Sequence, residues 1–288
     1  MLIDLRYHLT SLVAVFLALA VGILVGSSLI GGSSVKVLER EFAKLRTDNR
    51  MQQQTVDNLR ERIKKQEEFE TTAAPMLIEN RLVWHRVAII QTGDYSEATQ
   101  GAKSIMEEAG ASVVSVTTLS NLDSNAARGR LVKALKQITG ETEIEDPVER
   151  MLGILAGCVA GGADPEALDV LENMGLLSRA GEYGRRVFYV VLVGGDKKRG
   201  SGRAQLVDLE LIDQLKAVGV KTLVGAEPSS AVTSYIPMYH RKDIPTVDDI
   251  DLVMGKVALV YAVAGESGNF GIKKSAEQVA PDFFKRTQ

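Results

Sequence analysis

The stretch "RVFYVVLVGGDKKRGSGRAQLVDLELIDQLKAVGVKTLVGAE", Arg186 to Glu227, decides the fold. Its opening, Arg186–Gly195, is a short apolar, β-branched run closed by glycines, the pattern of a buried strand. Arg203–Gly219 continues with helical spacing and stops on a glycine, and Val220–Glu227 is a second apolar run. Strand, helix, glycine and strand in that order predict a parallel crossover unit.

The same order stands earlier in the chain: "RVAIIQTGD" (Arg86–Asp94) as strand, "SEATQGAKSIMEEAG" (Ser96–Gly110) as helix with Ser96 as N-cap, and "ASVVSVTTL" (Ala111–Leu119) as strand. Two such units predict an α/β domain over residues 75–288, a Rossmann-like doubly wound parallel sheet with helices on both faces. Three amphipathic helices, Asn125–Gly140, Asp146–Gly161 and Asp164–Gly175, lie between the units; the last has Pro165 at its first helical position. Gly255–Gly265 reads as strand or helix, and its alanines and length favour helix.

Upstream of the domain, Val35 to Glu70 contains neither Gly nor Pro and mixes both signs of charge. Leu38, Phe42, Leu45, Asn49, Gln52, Val56, Leu59, Ile63 and Gln66 recur at alternating four- and three-residue spacing, the heptad seam of a coiled coil. The seam predicts a rod over residues 35–74, ended by proline at Thr71–Pro75, and a homodimer formed through residues 35–70. The other reading is a solvated helix packed on its own domain.

Further upstream, "LTSLVAVFLALAVGILVGSSLIGG", Leu9 to Gly32, holds no charged residue. A hydrocarbon core of about 30 Å needs about 20 apolar residues in a helix. Leu9–Ile30 is long enough for a retained anchor in membrane lipid, and the anchor region spans 1–34. A cleaved signal normally has a basic head and a shorter apolar centre, whereas this head carries Asp4 beside Arg6. A buried core helix is the third reading. Gly31–Ser34 breaks the run, and Gly22 and Gly26 form a Gly-x-x-x-Gly that lets two helices approach closely.

"LIDLRYHLTSLVAVFLALAVGILVGS", Leu2 to Ser27, resembles the opening of the copper transport outer membrane protein family, the MctB-like copper transporters. Leu5-Arg6 and His8 match that family's head, and Ser11 to Gly22 match its apolar continuation. A second match is "IPTVDDIDLVMGKVALVYAVAG" (Ile244–Gly265), with "GNFG" (Gly268–Gly271) just after it. The order of anchor, heptad helix and α/β domain matches as well. The resemblance implies a membrane-tethered, non-enzymatic protein of copper ion transport or homeostasis, with a copper ion as the group handled. It also implies an extracytoplasmic domain, the arrangement of a signal-anchor with a short head inside. The charge count argues the other way, with Arg6 on one side and Lys36, Arg40, Lys44, Arg46 and Arg50 on the other. The architecture taken alone also supports a coiled-coil cell-envelope scaffold carrying a protein- or ligand-binding α/β domain.

The residues themselves show no cofactor. A net charge of −3 gives no argument for nucleic acid, and the single cysteine, Cys158, excludes an internal disulfide framework. Cys158 lies in an apolar helix and reads as a buried structural thiol. Copper favours clustered thiolates, thioethers or imidazoles. The nearest approach is Met238 with His240 in "IPMYH", which would share a face if the segment were a strand; the other reading is a packed Met beside an exposed His.

An anion could rest in "VVLVGGDKKRGSGRAQ", where Gly194, Gly195, Lys197, Gly200 and Gly202 come after a strand and precede a helix. A solvated loop has the same composition. The segment matches neither the P-loop nor the dinucleotide pattern. Ser229 or Ser230 reads as a helix N-cap, and no catalytic constellation appears. The strands are continuous apolar runs, as in buried parallel sheets, and not the alternating ten-residue segments of a membrane barrel.

Overall fold

The structure, a computed structural model, describes residues 5–30, 33–200 and 202–283. The chain divides into two compact units, Met1–Gln66 and Glu67–Gln288.

The first unit opens with α1, Leu5–Ile30. Arg6–Ser27 is long and apolar enough to cross a membrane, and none of it is buried inside the chain. At Gly22 and Gly26 nothing lies within 4 Å of where a Cβ would stand, so that face of α1 is open. The expected break after the apolar run falls partly on Gly31 and Gly32, which lie outside the described residues.

The second helix, α2, spans Ser33–Ile78, 46 residues, or about 69 Å at 1.5 Å per residue. Along the rod the apolar seam side chains from Leu38 to Ile63 are all exposed. The expected stop at Pro75 is corrected, because α2 continues through it to Ile78. Pro75 removes an N–H donor from the helix. Burial offsets that loss: Ala74 and Ile78, one turn apart, sit in the core of the second unit with Leu82, Met106 and Ala109. Two further bonds fix this last turn, from Tyr261 Oη (3.1 Å) and Arg81 Nε (3.1 Å) to the Leu77 carbonyl.

The second unit is a three-layer α/β domain. Its sheet comprises β1 (Arg86–Gln91), β2 (Ser112–Leu119), β3 (Leu177–Gly181), β4 (Tyr189–Val193), β5 (Thr222–Ala226), β6 (Thr246–Val247) and β7 (Asn269–Phe270), in the order β3-β2-β1-β4-β5-β6-β7. Only the β2–β3 pairing is antiparallel. The sheet is doubly wound, as the two crossover units require, and its order reverses between β1 and β4.

Alternate residues along each strand feed two cores. Ala88, Ile90, Val190 and Leu192 face α4 (Asn125–Thr139), α5 (Pro147–Ala160), α6 (Glu166–Asn173), α7 (Leu209–Ala217) and α8 (Ile236–Tyr239). Val87, Ile89, Val191 and Val193 face the end of α2, α3 (Ser96–Glu108) and α9 (Val253–Val263). Each fully buried side chain of this kind stabilises by about 1.5–3 kcal/mol, so the two cores hold the layers together.

Local chemistry sets the helix ends. Ser124 Oγ accepts from Ala127 N at 3.1 Å and opens α4; Gly140 closes it in the left-handed region (φ 75°). Asp146 caps α5 through Glu149 N, with Pro147 at the first position and Gly161 (φ 79°) as the stop. Two expected caps differ. Tyr95 precedes α3, with Ser96 its first residue, and Pro165 precedes α6 instead of opening it. Strand β3 leaves no apolar run to read, since only Leu177 of its five residues is buried. Strands β6 and β7 are two residues each, too short to leave a periodic pattern.

The junction of α2 with the domain yields a prediction. Pro75→Ala should raise the stability of the Glu67–Gln288 unit by up to about 3 kcal/mol, since a helix-interior proline is replaced by the best helix former. Ile78→Ala should cost about 2–5 kcal/mol by leaving a cavity. Chemical denaturation checks both. A stabilising Ile78→Ala, or a Pro75→Ala that loses stability, would show that this turn does not belong to the domain core.

Candidate functional site

Doubly wound sheets bind ligands outside the carboxyl ends of their strands, where the strand order reverses. Here that point lies between the turn after β1, Thr92-Gly93-Asp94, and the turn after β4, Gly194-Gly195-Asp196. The two turns touch. Thr92 N donates to Val193 O at 2.9 Å and Asp94 N to Gly195 O at 3.0 Å. A Cβ on Gly93 would stand 2.5 Å from the Gly194 carbonyl carbon. One on Gly194 would stand 2.5 Å from the Tyr235 ring and closer still to the Tyr239 hydroxyl. Gly195 holds φ 91°. Glycine is thus needed here for backbone approach and for a left-handed turn.

Above these turns the crevice is filled by the chain's own side chains. Tyr235, Tyr239, Asp208 and Glu227 are each fully buried. Asp208 Oδ2 accepts from Tyr239 Oη (2.7 Å) and from Thr92 Oγ1 (3.0 Å). Its other oxygen is buried with no hydrogen-bond partner. Asp208 reaches this position from a five-residue π-helical turn, Ala204–Asp208, that leads into α7. Such turns insert a residue into the helix and re-aim side chains, often at functional sites.

Beside it, Glu227 Oε1 accepts from Lys273 Nζ at 2.6 Å and Oε2 from Tyr235 N at 2.7 Å. Further along the carboxyl edge, "VDDID" (Val247–Asp251) presents three acids. Asp248 accepts from the backbone N–H groups of Ile272 and Lys273. Asp251 accepts from Ser229 N and Oγ at 2.6 and 2.8 Å. Asp249 is buried, and neither of its oxygens has a hydrogen-bond partner.

Burial pushes the Asp208 carboxyl up to about 7, against the opposing pull of its bonds from Tyr239 and Thr92 and of the Arg203 charge. Burial likewise pushes Asp249 up to about 7, helped by the negative charges of Asp248 and Asp251 and resisted by Lys273. These two carboxyls hold or lose a proton near neutral pH.

The structure disperses the residues singled out in the sequence. Met238 and His240 are not on a strand: Met238 lies in α8 and packs against the core, and His240 begins a 3-10 turn. Two residues apart on a helical segment, they point about 160° apart. The His240 ring is 3.1 Å from Thr246 Oγ1. Among the described residues, no group of three or more His, Cys, Asp and Glu side chains is placed to hold a metal ion.

In the glycine loop, Gly194 N donates to Ala226 O, Asp196 N to Thr233 O and Lys197 N to Asp94 Oδ2, so three of its N–H groups are already taken. Gly200 and Gly202 stand in open space. Arg203 is buried and donates to Leu119 O at 2.6 Å, with Asp94 at 3.6 Å. The loop's cations thus brace the fold at Arg203 and face solvent at Lys197, Lys198 and Arg199.

Cys158 is buried and its thiol faces Asp164 O at 3.2 Å; burial raises its pKa to about 11, which leaves it unreactive. Ser229 is no helix cap, because its hydroxyl ties its own turn to Asp251.

Sequence reasoning missed Thr92, Asp208, Glu227, Tyr235, Tyr239 and Lys273. One signal was available: Asp208 interrupts the apolar face of "LVDLEL" and Glu227 ends an apolar strand, and acids in such places are buried and need partners.

Comparison with known proteins covers the whole architecture. A family model described as "Copper transport outer membrane protein, MctB" matches residues 2–281. Proteins named copper transporter MctB from Mycobacterium bovis (strain ATCC BAA-935 / AF2122/97) and Mycobacterium tuberculosis (strain ATCC 25618 / H37Rv) are each 26% identical over 313 residues. Those alignments cover 96% of this chain and 99% of each relative.

The two buried acids fix a pH dependence. In an unfolded chain each carboxyl loses its proton near about pH 4; in the folded one it does so at about 7. The folded state therefore binds more protons between those values. Its stability is greatest at the acid end of that window, falls as pH rises, and levels off above the folded value. The slope is about 1.4 kcal/mol per pH unit for each extra proton. Denaturation of the Glu67–Gln288 unit at about pH 5.5 and about pH 8 should show the fall, and Asp208→Asn or Asp249→Asn should each remove part of it. An unchanged slope in both variants would refute the assignment.

Proposed function

This chain belongs to the MctB family of copper transport outer membrane proteins, and from that membership we propose that it is a membrane-tethered assembly component of copper transport or homeostasis with no enzymatic step of its own. In this reading α1 is retained as a single anchor in lipid, the rod pairs two copies through residues 35–70, and the α/β domain stands on the extracytoplasmic side and engages partner proteins. The observation that carries the reading is the switch-point crevice. Where this fold class places a substrate or nucleotide, Tyr235, Tyr239 and the Asp208–Thr92 hydrogen bonds occupy the space.

A pore within one copy has no support in the geometry. Only helices and closed barrels span a bilayer. The strands described form a mostly parallel sheet covered by helices on both faces, and one apolar helix cannot enclose a channel. If copper crosses the membrane through this family, several anchors or another protein supply the path.

Copper is cargo in this reading, and the domain does not grip it tightly. Met238 and His240 offer one thioether and one imidazole on different faces of a helical turn, short of a closed soft-ligand set. Competition with a Cu(I) chelator should find the Glu67–Gln288 unit binding copper weakly, with no change in Met238→Leu or His240→Ala. Deletion of the chain's gene should sensitise its host to copper, and restoration should need α1. Sub-nanomolar copper binding that both substitutions abolish would defeat the assembly reading and make the domain a copper carrier. Protease digestion of intact cells that spares the domain would place it in the cytoplasm.

A further inference from the structure

The apolar stripe of α2 is open only along part of its length. From Leu38 to Ile63 its six apolar side chains are each 41–58% exposed. Two turns further on, the same heptad positions, Ala73 and Leu77, are half-buried within the Glu67–Gln288 unit. The open part of the stripe therefore falls within the first unit, which ends at Gln66, and there its side chains stay exposed.

We infer that this face pairs with a second copy of the chain in a parallel, in-register coiled coil whose register is written in the charges flanking the seam; the inference rests on the dimer reading above. With Phe42, Asn49, Val56 and Ile63 at the a positions, the residues preceding them (g) and those just after the d positions (e) meet across a parallel pair. The four contacts are Glu41 with Arg46 of the second copy, Asp48 with Gln53, Thr55 with Arg60, and Arg62 with Glu67. Two attract, none repels, and symmetry doubles each. Sliding one helix by a heptad brings Glu41 against Glu39 and Arg62 against Arg60, while Asp48 meets Arg46 on one side and Arg60 on the other; two like-charge contacts cancel two attractive ones, so the slip forfeits the net attraction of the in-register pair. It also places Asn49 against Val56, leaving a polar amide in an apolar layer. In register, Asn49 meets Asn49 and Gln52 meets Gln52, so each amide has an amide to bond.

The flanking charges are available for this role. Lys65 is paired with Glu61 along its own helix at 2.8 Å, whereas among the described residues Glu41, Arg46, Arg62 and Glu67 make no ion pair within the chain. The anchor sets the orientation. Each rod begins three residues after the end of α1, so an antiparallel pair would put the two anchors at opposite ends of the rod, out of reach of one bilayer.

The test uses the full chain in detergent micelles. Cys158 is buried, so the unaltered chain is the control without cross-links. Leu38→Cys and Ile63→Cys, each alone, should form a disulfide-linked dimer on oxidation. Differently tagged copies of the two, mixed, should give no mixed dimer. Glu41→Lys and Arg46→Glu should each weaken dimerisation about tenfold, through two repulsive contacts per dimer, and the double variant should regain most of the loss. Mixed 38–63 cross-links, or a double variant no better than the singles, would overturn the parallel register while the dimer itself stands. A chain that sediments as a monomer would overturn the dimer reading along with it.

Discussion

Contact between the turns after β1 and β4 is the constraint on which the rest of the domain depends. Gly93 and Gly194 lie so close that a methyl group on either would overlap its neighbour's backbone or the Tyr235 and Tyr239 side chains. Because those turns close on each other, the crevice that a doubly wound sheet opens at its point of reversal is sealed. The tyrosines complete the seal, and Asp208 and Glu227 are buried beneath it as the acceptors their polar atoms require.

Sealing that crevice has an electrostatic consequence. A carboxylate removed from water is costly unless it is paired. Glu227 meets that cost with Lys273. Asp208 meets it partly, through two neutral donors, and Asp249 has neither oxygen bonded. Both therefore hold a proton up to near neutral pH, and the π-helical turn that aims Asp208 inward is part of the same arrangement. The carboxyl edge works as a buried polar brace between α7, α8 and the sheet.

The parts of the chain that meet nothing of their own are equally informative. Helix α1 exposes every apolar side chain described in it, and α2 exposes a seam of six. Exposed apolar surface on this scale marks a membrane or a partner surface. The domain, by contrast, keeps most of its apolar residues in two closed cores, with Trp84, Leu206, Val232, Ile272 and Val279 scattered on its surface. Family membership covers residues 2–281, so the apolar helix, the long second helix and the α/β domain all belong to the matched copper transport family.

The sequence alone determined what depends on local pattern. A 22-residue apolar run, a four-three heptad and two strand–helix–glycine–strand units are each legible from spacing, because helices repeat every 3.6 residues, coiled coils every 3.5, and buried parallel strands are continuous and apolar. Those features match an apolar helix long enough to cross a membrane, a 46-residue second helix and the doubly wound sheet, and the N-terminal motif pointed to the family. Tertiary structure decided what depends on residues distant in sequence. Pro75 lies inside a helix because Ala74 and Ile78 are buried against α3 and its neighbours, an energy no local rule contains. Met238 and His240 diverge because their segment coils. Gly194 packs closely because Tyr235 and Tyr239 return from about forty residues later to fill the space above it. Asp208 meets Thr92 across 116 residues. Spacing shows which face a side chain takes; only the folded chain brings it a partner.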